Sequence, residues 1–107
     1  MLRVGVLTMA ALLASAHADD TAVELAMTCF DESKQEWRSF EKVGAGIRMV
    51  KDGVPGELEP IHEADDENLR YVVQLKTYTG IVTIEYDYGE KTVVKDLMSG
   101  PQRMNCE

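Results

Sequence analysis

The sequence is poor in cysteine, histidine and positive charge. Its 107 residues include two cysteines and two histidines, and 11 Lys and Arg stand against 19 Asp and Glu, which gives a net charge of −8. This acidity argues against nucleic acid and anionic membrane surfaces as partners, and it permits a basic protein partner. No C-x-x-C pair occurs, so the cysteines do not indicate a redox-active site.

Long apolar runs are absent except at the N-terminus. Residues 1–18, MLRVGVLTMAALLASAHA, begin with the cation Arg3, continue with an uncharged run and end in an A-x-A pattern. This layout predicts a secretory signal peptide cleaved between Ala18 and Asp19, because a membrane-spanning helix needs about 20 apolar residues. We therefore expect a mature chain, residues 19–107, that is soluble, carries no membrane anchor and resides in the periplasm or, alternatively, outside the cell.

Both cysteines lie in the exported part of the chain. Small secreted domains commonly gain stability from disulfides, because they bury little surface. We therefore predict a Cys29–Cys106 disulfide that ties the C-terminus to the first structural element. In the chain-entropy model a loop of this length contributes at most about 4 to 5 kcal/mol.

Residues 19–107 contain no repeat and no linker rich in Pro or Ser, so we expect one domain. Alternating apolar residues predict strands over 23–29 and 46–51, the second ending at a turn at Asp52-Gly53. Residues 33–44, SKQEWRSFEKVG, match a helical capping box followed by a terminal glycine. A strand there would place Trp37 and Phe40 on opposite faces, so we predict a short helix over 33–43. Residues 54–68 combine prolines with acidic residues and predict a long solvated loop.

The region 71–97 gives the strongest pattern. A reversal around Thr79-Gly80 would pair Tyr71 with Tyr88, Val73 with Tyr86 and Leu75 with Ile84, and would put apolar residues on one face and polar residues on the other. A second reversal at Tyr88-Gly89 leads into a third strand, 92–97, that buries Val93 and Leu97.

These elements predict a mainly β protein, with a small α+β arrangement as the alternative. We expect a single antiparallel sheet or small barrel with one short helix, closed by the disulfide. The order of leader, early cysteine, antiparallel strands and late cysteine resembles that of the exported C-type lysozyme inhibitors of Gram-negative bacteria, which are small β-barrels. The resemblance covers architecture, and no site residue is carried over from it.

The sequence does not indicate an active site. The mature chain has one histidine, His62, and its serines lack the G-x-S-x-G context of a hydrolase nucleophile. The HEADDE stretch, 62–67, matches no EF-hand spacing and has no second histidine. We therefore expect no enzymatic activity, no cofactor and no metal, with a small hydrolase or metal-binding protein as the least favoured alternative.

The function that remains is binding. We predict a non-enzymatic protein-binding module, inhibitor-like or immunity-like, that docks on another exported protein through its acidic segment. The alternative is an accessory structural subunit of a cell-envelope assembly, which would show an unpaired apolar edge or patch. Trp37 and Tyr78 are the aromatic residues whose exposure would mark a contact site. The predicted partner-binding residues are Glu57, Glu59, Glu63, Asp65, Asp66 and Glu67.

Overall fold

Nine β-strands follow one another along residues 22–107, the part of the chain that the computed structural model describes. The predicted leader and its cleavage site at Ala18-Asp19 lie outside the described residues. Residues 22–107 contain no helix, and thus none with the length and hydrophobicity to cross a membrane. The strands are β1 Leu25–Asp31, β2 Glu36–Val43, β3 Gly46–Lys51, β4 Val54–Pro55, β5 Glu59–Asp65, β6 Arg70–Thr77, β7 Gly80–Asp87, β8 Thr92–Leu97 and β9 Gly100–Asn105.

The strands form one antiparallel sheet in the order β9-β8-β7-β6-β5-β3-β2-β1, and the short β4 also pairs with β3. The two outer strands meet, because the backbones of Thr28 and Glu107 exchange two hydrogen bonds of 3.1 and 2.8 Å. Beside them Cys29 and Cys106 form the predicted disulfide. The sheet is thus a nearly closed barrel, as the β class and the disulfide closure predicted.

The core lies inside the barrel and is built from alternate residues of the strands, since successive side chains of a strand point to opposite faces. Tyr71, Tyr86 and Tyr88 belong to it, as expected, and so does Val93. Leu97 is half-buried. The buried members are Met27, Cys29, Phe40, Ile47, Tyr71, Val73, Ile84, Tyr86, Tyr88, Val93 and Met104.

The predicted helix over 33–43 is wrong, because the chain forms a turn at 32–35 and then strand β2. Phe40 points inward and is 4% exposed, whereas Trp37 points outward and is 52% exposed. Trp37 packs edge-on against Phe30 of β1, with ring centroids 5.2 Å apart. The Ser33 hydroxyl, which the capping box assigned to a helix, donates to Asp31 Oδ1 at 2.6 Å instead.

The predicted loop over 54–68 is also wrong for much of its length, because it contains β4 and β5. Pro60 pairs with Gly46 of β3, and the Ile61 amide donates to the carbonyl of Ala45 at 2.9 Å. A register shift between Ile61 and Glu63 places a bulge at His62. Half-buried Ile61 packs against the core and anchors this acidic strand.

The hairpin of β6 and β7 has the predicted faces and a different register. Tyr71 pairs with Tyr86, Val73 with Ile84 and Leu75 with Val82. Each partner is shifted by two residues from the prediction, because the turn is formed by Tyr78 and Thr79. A shift of two leaves every side chain on its face.

The turns gather at the two ends of the barrel because neighbouring strands are antiparallel. One end holds the turns at 44–45, 66–69 and 88–91, and the other holds those at 32–35, 52–53, 78–79 and 98–99.

Candidate functional site

The six acidic residues predicted to bind a partner do not form a single patch. Exposed Glu57 and half-buried Glu59 line a partly open cavity that extends into the barrel. Glu63 lies on exposed β5, and Asp65 closes that strand. Asp66 and Glu67 belong to the turn that follows, at the end of the barrel opposite the Tyr78 turn.

Two of these carboxylates hold the 66–69 turn together. Asp65 accepts hydrogen bonds from Asn68, through the backbone amide at 3.2 Å and the side-chain amide at 2.9 Å. These bonds lower the pKa of Asp65, since they favour the ionised carboxylate. Asp66 accepts a 2.8 Å hydrogen bond from the phenol of Tyr71. Leu69 completes the turn with a left-handed backbone conformation, φ 57°.

The structure brings further acids to this end of the barrel. Glu67 shares a surface concavity of about 290 Å³ with Asp87 and Glu90 of the 88–91 turn. Asp87 accepts from the Glu90 amide at 2.9 Å and forms a 3.5 Å ion pair with Arg70. Sequence reasoning missed Asp87 and Glu90, because each stands apart from the acidic run and only the strand pairing of β6 with β7 brings the two turns together.

Glu24 adds a carboxylate just before β1. Its Oε1 lies 2.6 Å from Lys42 Nζ, and its Oε2 accepts from the Gly44 amide at 3.1 Å. The hydrogen bond from Lys42 is the main cause of the lowered pKa of Glu24, and the nearby charge of Asp66 acts in the opposite direction.

We call this surface the acidic end. Lys42 and Arg70 pair with two of its carboxylates, and Lys91 adjoins it in the 88–91 turn. The surplus of negative charge therefore resides on four residues, Asp65 at the end of β5 and three residues of the two turns, of which Glu67 and Glu90 are exposed. The acidic end consists of Glu24, Asp65, Asp66, Glu67, Asp87 and Glu90.

The residues considered for catalysis lie apart. His62 is exposed at the β5 bulge. The Ser33 hydroxyl donates to Asp31, and the Ser39 hydroxyl bonds to that of Thr28 at 3.0 Å. Among residues 22–107, no group of three or more His, Cys, Asp or Glu side chains is arranged to hold a metal ion.

Trp37 and Tyr78, the aromatic residues whose exposure would mark a contact site, are both exposed. Tyr78 and Met98 form the tips of two turns, and Ile81 lies beside them. A groove of about 310 Å³ runs between these turns. This apolar end is opposite the acidic end.

Comparison with known proteins finds no matching family model, no matching curated protein and no matching solved structure. The resemblance to C-type lysozyme inhibitors therefore rests on architecture alone.

Proposed function

We propose that the mature chain, residues 19–107, is a non-enzymatic protein-binding module that acts in the periplasm and docks on another exported protein with a basic surface. The observation that carries this proposal is the convergence of acidic side chains from separate segments at the acidic end. Complementary potentials of this kind steer association and select partners.

The location has two supports. A structural disulfide indicates an oxidising compartment outside the cytoplasm. The N-terminal leader pattern favours export, and periplasmic retention is the simplest destination for a chain with a cleaved leader and no second apolar run.

Among the six predicted residues, some are better suited than others to test the proposed docking surface. Asp65 and Asp66 support the 66–69 turn, so changing them would alter the turn as well as the charge. Glu57 and Glu59 face a cavity and not the acidic end. Exposed Glu67 and Glu90 test the proposal with the least structural disturbance.

The experiment compares two charge-matched double variants. The wild-type chain is immobilised on a resin, and envelope extract is passed over it. The partner protein that it retains is identified and purified. Calorimetry then gives the dissociation constant of this partner for the wild type and for each variant. We expect Glu67→Gln with Glu90→Gln to weaken binding about fivefold or more, with the effect shrinking as salt is raised.

The control is Glu32→Gln with Asp52→Asn, two exposed acids in turns at the apolar end. It removes the same charge and should leave the dissociation constant unchanged. Equal effects of the two double variants would remove the acidic end from the proposal, and failure to retain any protein at low salt would contradict protein binding altogether.

The alternative, an accessory subunit of an envelope assembly, is favoured by the exposed Tyr78, Ile81 and Met98 at the apolar end. Exposed apolar groups that gather in one place commonly mark contact sites. Self-association at high concentration, measured by sedimentation velocity and abolished by Ile81→Ser with Met98→Ser, would support this alternative over the first proposal. A monomer at every concentration would argue against self-assembly.

A further inference from the structure

A partly open cavity of about 290 Å³ extends from the surface into the barrel, near the lower limit of ligand pockets, roughly 300 Å³. Its lining includes exposed Gly56 and Glu57. The apolar part of its wall comes from β2 and β3 on one side and from β6 and β7 on the other. The apolar side chains that line it are Phe40, Ile47, Met49, Leu75, Ile84 and Tyr86.

Two cations lie on one side of this cavity. Arg38 reaches it from β2 and Lys95 from β8, and these strands flank the β1–β9 seam that the disulfide closes. Glu57 and Glu59 line the opposite side, next to β5. The cavity is therefore polarised, with cations at the seam, carboxylates at the far wall and apolar side chains between them.

Arg38 is incompletely paired for a buried guanidinium. Its side chain is 10% exposed, and its two ion pairs, with Asp31 and Glu36, are both long at 3.5 Å. Its Nε is buried and has no hydrogen-bond partner among the described residues. A buried donor without a partner is destabilising, so an acceptor in the cavity would be favourable.

The anions near Arg38 are already engaged. Asp31 accepts from the Ser33 hydroxyl and from the amides of Ser33 and Lys34. Glu36 pairs with Lys51 at 2.9 Å. Burial, followed by repulsion from Arg38, lowers the pKa of Lys95. Arg38 thus has only two long ion pairs, and Lys95 forms none among the described residues.

The sheet is interrupted beside this cavity. Pairing of β3 with β5 stops at Ile47 and Glu59, and pairing of β5 with β6 starts at Ile61 and Val73. Toward the apolar end, residues 56–58 belong to no strand, and Gly56 and Glu57 of this segment line the cavity together with half-buried Leu75. This interruption provides an entry path for a small molecule.

We propose that the cavity binds a small monocarboxylate with an apolar body, whose carboxylate pairs with Arg38 and Lys95 and whose apolar part contacts Phe40, Leu75 and Ile84. Guanidinium groups hold carboxylates through charge-assisted hydrogen bonds. Glu57 and Glu59 repel a second negative charge, which favours a single anionic group over a dicarboxylate. The site is independent of the acidic end and of any protein partner.

The test uses octanoate as the probe and octylamine, which has the same chain length and the opposite charge, as the comparison. Calorimetry should detect octanoate binding at least about tenfold tighter than octylamine binding. In NMR spectra the methyl groups of Leu75 and Ile84, which line the cavity, should shift on titration, and those of exposed Ile81 should not. Equal affinities, no octanoate binding, or shifts confined to Ile81 would each overturn the proposal.

Variants locate the carboxylate. Lys95→Gln should weaken octanoate binding about tenfold, whereas Lys76→Gln, at an exposed lysine two strands away on β6, should not change it. Leu75→Trp should abolish binding by filling the entry. Lys95 serves as the main test because Arg38→Gln could disturb the fold. If Lys95→Gln and Lys76→Gln bind octanoate equally, the assignment is wrong.

Discussion

The phenol of Tyr71 donates a 2.8 Å hydrogen bond to Asp66 and so ties the barrel core to the acidic end. The Tyr71 ring is buried, lies edge-on to Tyr88 with centroids 6.1 Å apart, and has Lys42 Nζ 5.2 Å from its centroid. Burial, together with the bond to Asp66, raises the pKa of Tyr71 to about 12. The phenol therefore stays a donor throughout the neutral range.

Removing this hydroxyl should destabilise the fold modestly. Tyr71→Phe keeps the ring and loses the bond to Asp66, so we expect the free energy of unfolding to fall by about 1 kcal/mol. Urea denaturation followed by circular dichroism measures it. Tyr78→Phe, at an exposed turn, is the control and should leave the midpoint unchanged. Equal midpoints for the two variants would mean that the Tyr71–Asp66 bond contributes nothing to stability.

The disulfide should carry much of the stability of the barrel. It joins residues 77 apart in sequence, which in the chain-entropy model corresponds to at most about 4 to 5 kcal/mol. Cys29→Ser with Cys106→Ser should lower the free energy of unfolding by an amount approaching this limit. Hydrogen exchange should locate the loss at the seam, with the amides of Thr28 and Glu107 becoming exposed first.

Reduction of the wild type is the matched control. It breaks the same bond without changing the cysteines, so reduced wild type and the double variant should unfold at similar urea concentrations. Unchanged protection of Thr28 and Glu107 in the reduced protein would show that the backbone bonds hold the seam without the covalent link.

The sequence predicted the strands that alternate cleanly and failed where the barrel interior contains charged residues. In β2 the inward positions are Arg38, Phe40 and Lys42, so no apolar alternation is visible. Long aliphatic stems fill interior space while the charged ends find partners. Those partners, Asp31 and Glu24, lie on another segment and cannot be read from residues 33–44.

Strands β5 and β9 escaped prediction for different reasons. Acidic residues and Pro60 conceal β5, which is held by half-buried Ile61 and by backbone pairing with β6 and, over a shorter stretch, with β3. In β9 only Met104 is buried, so the sequence of this strand shows no alternation of apolar and polar residues. The disulfide was the available signal, since it requires the last residues to reach β1.

The acidic end could be predicted only in part. Asp66 and Glu67 were found as members of a run of acidic residues. Glu90 lies near them only because β6 pairs with β7. The predicted register of β6 with β7 was displaced by two residues, because Gly80 comes after the two-residue turn and is not part of it. Gly80 takes φ 128° directly after Tyr78 and Thr79.

Asp31 should make the fold sensitive to acid. Its side chain is 4% exposed, and its pKa is lowered first by the hydrogen bond from the Ser33 hydroxyl and then by Arg38. A carboxyl with a lowered pKa stabilises the fold above its unfolded value of 3.8, and this contribution is lost as the pH falls through the folded pKa. We therefore expect wild-type stability to fall below about pH 4.

Ser33→Ala isolates this effect. It removes the principal bond to Asp31, so the pKa of Asp31 should rise toward its unfolded value and the variant should lose less stability on acidification. Carboxyl NMR titration and urea midpoints at pH 7 and pH 3 measure both quantities. Ser99→Ala, in the turn at the apolar end, is the control. Identical acid dependence of wild type and Ser33→Ala would contradict this assignment.

The ion pair of Lys42 with Glu24 should show strong coupling. Lys42 is buried, and its ammonium donates to Glu24 Oε1 at 2.6 Å and to the Gly44 carbonyl at 2.8 Å. Glu24→Gln leaves that ammonium with weaker partners in a partly desolvated place, so this variant should unfold at lower urea concentration. The second single variant, Lys42→Met, keeps an aliphatic side chain of similar length and removes the buried charge, so it leaves no unpaired ammonium behind.

The double variant decides between coupling and simple addition. Once the buried charge is gone, loss of Glu24 should cost little, so Glu24→Gln with Lys42→Met should be at least as stable as Glu24→Gln alone. The pair Glu41 and Arg48, 2.9 Å apart on the neighbouring strands β2 and β3, provides a reference cycle with weaker coupling, because its cation is less deeply buried than Lys42. Additive losses at Glu24 and Lys42 would mean that water, and not the carboxylate, solvates the ammonium.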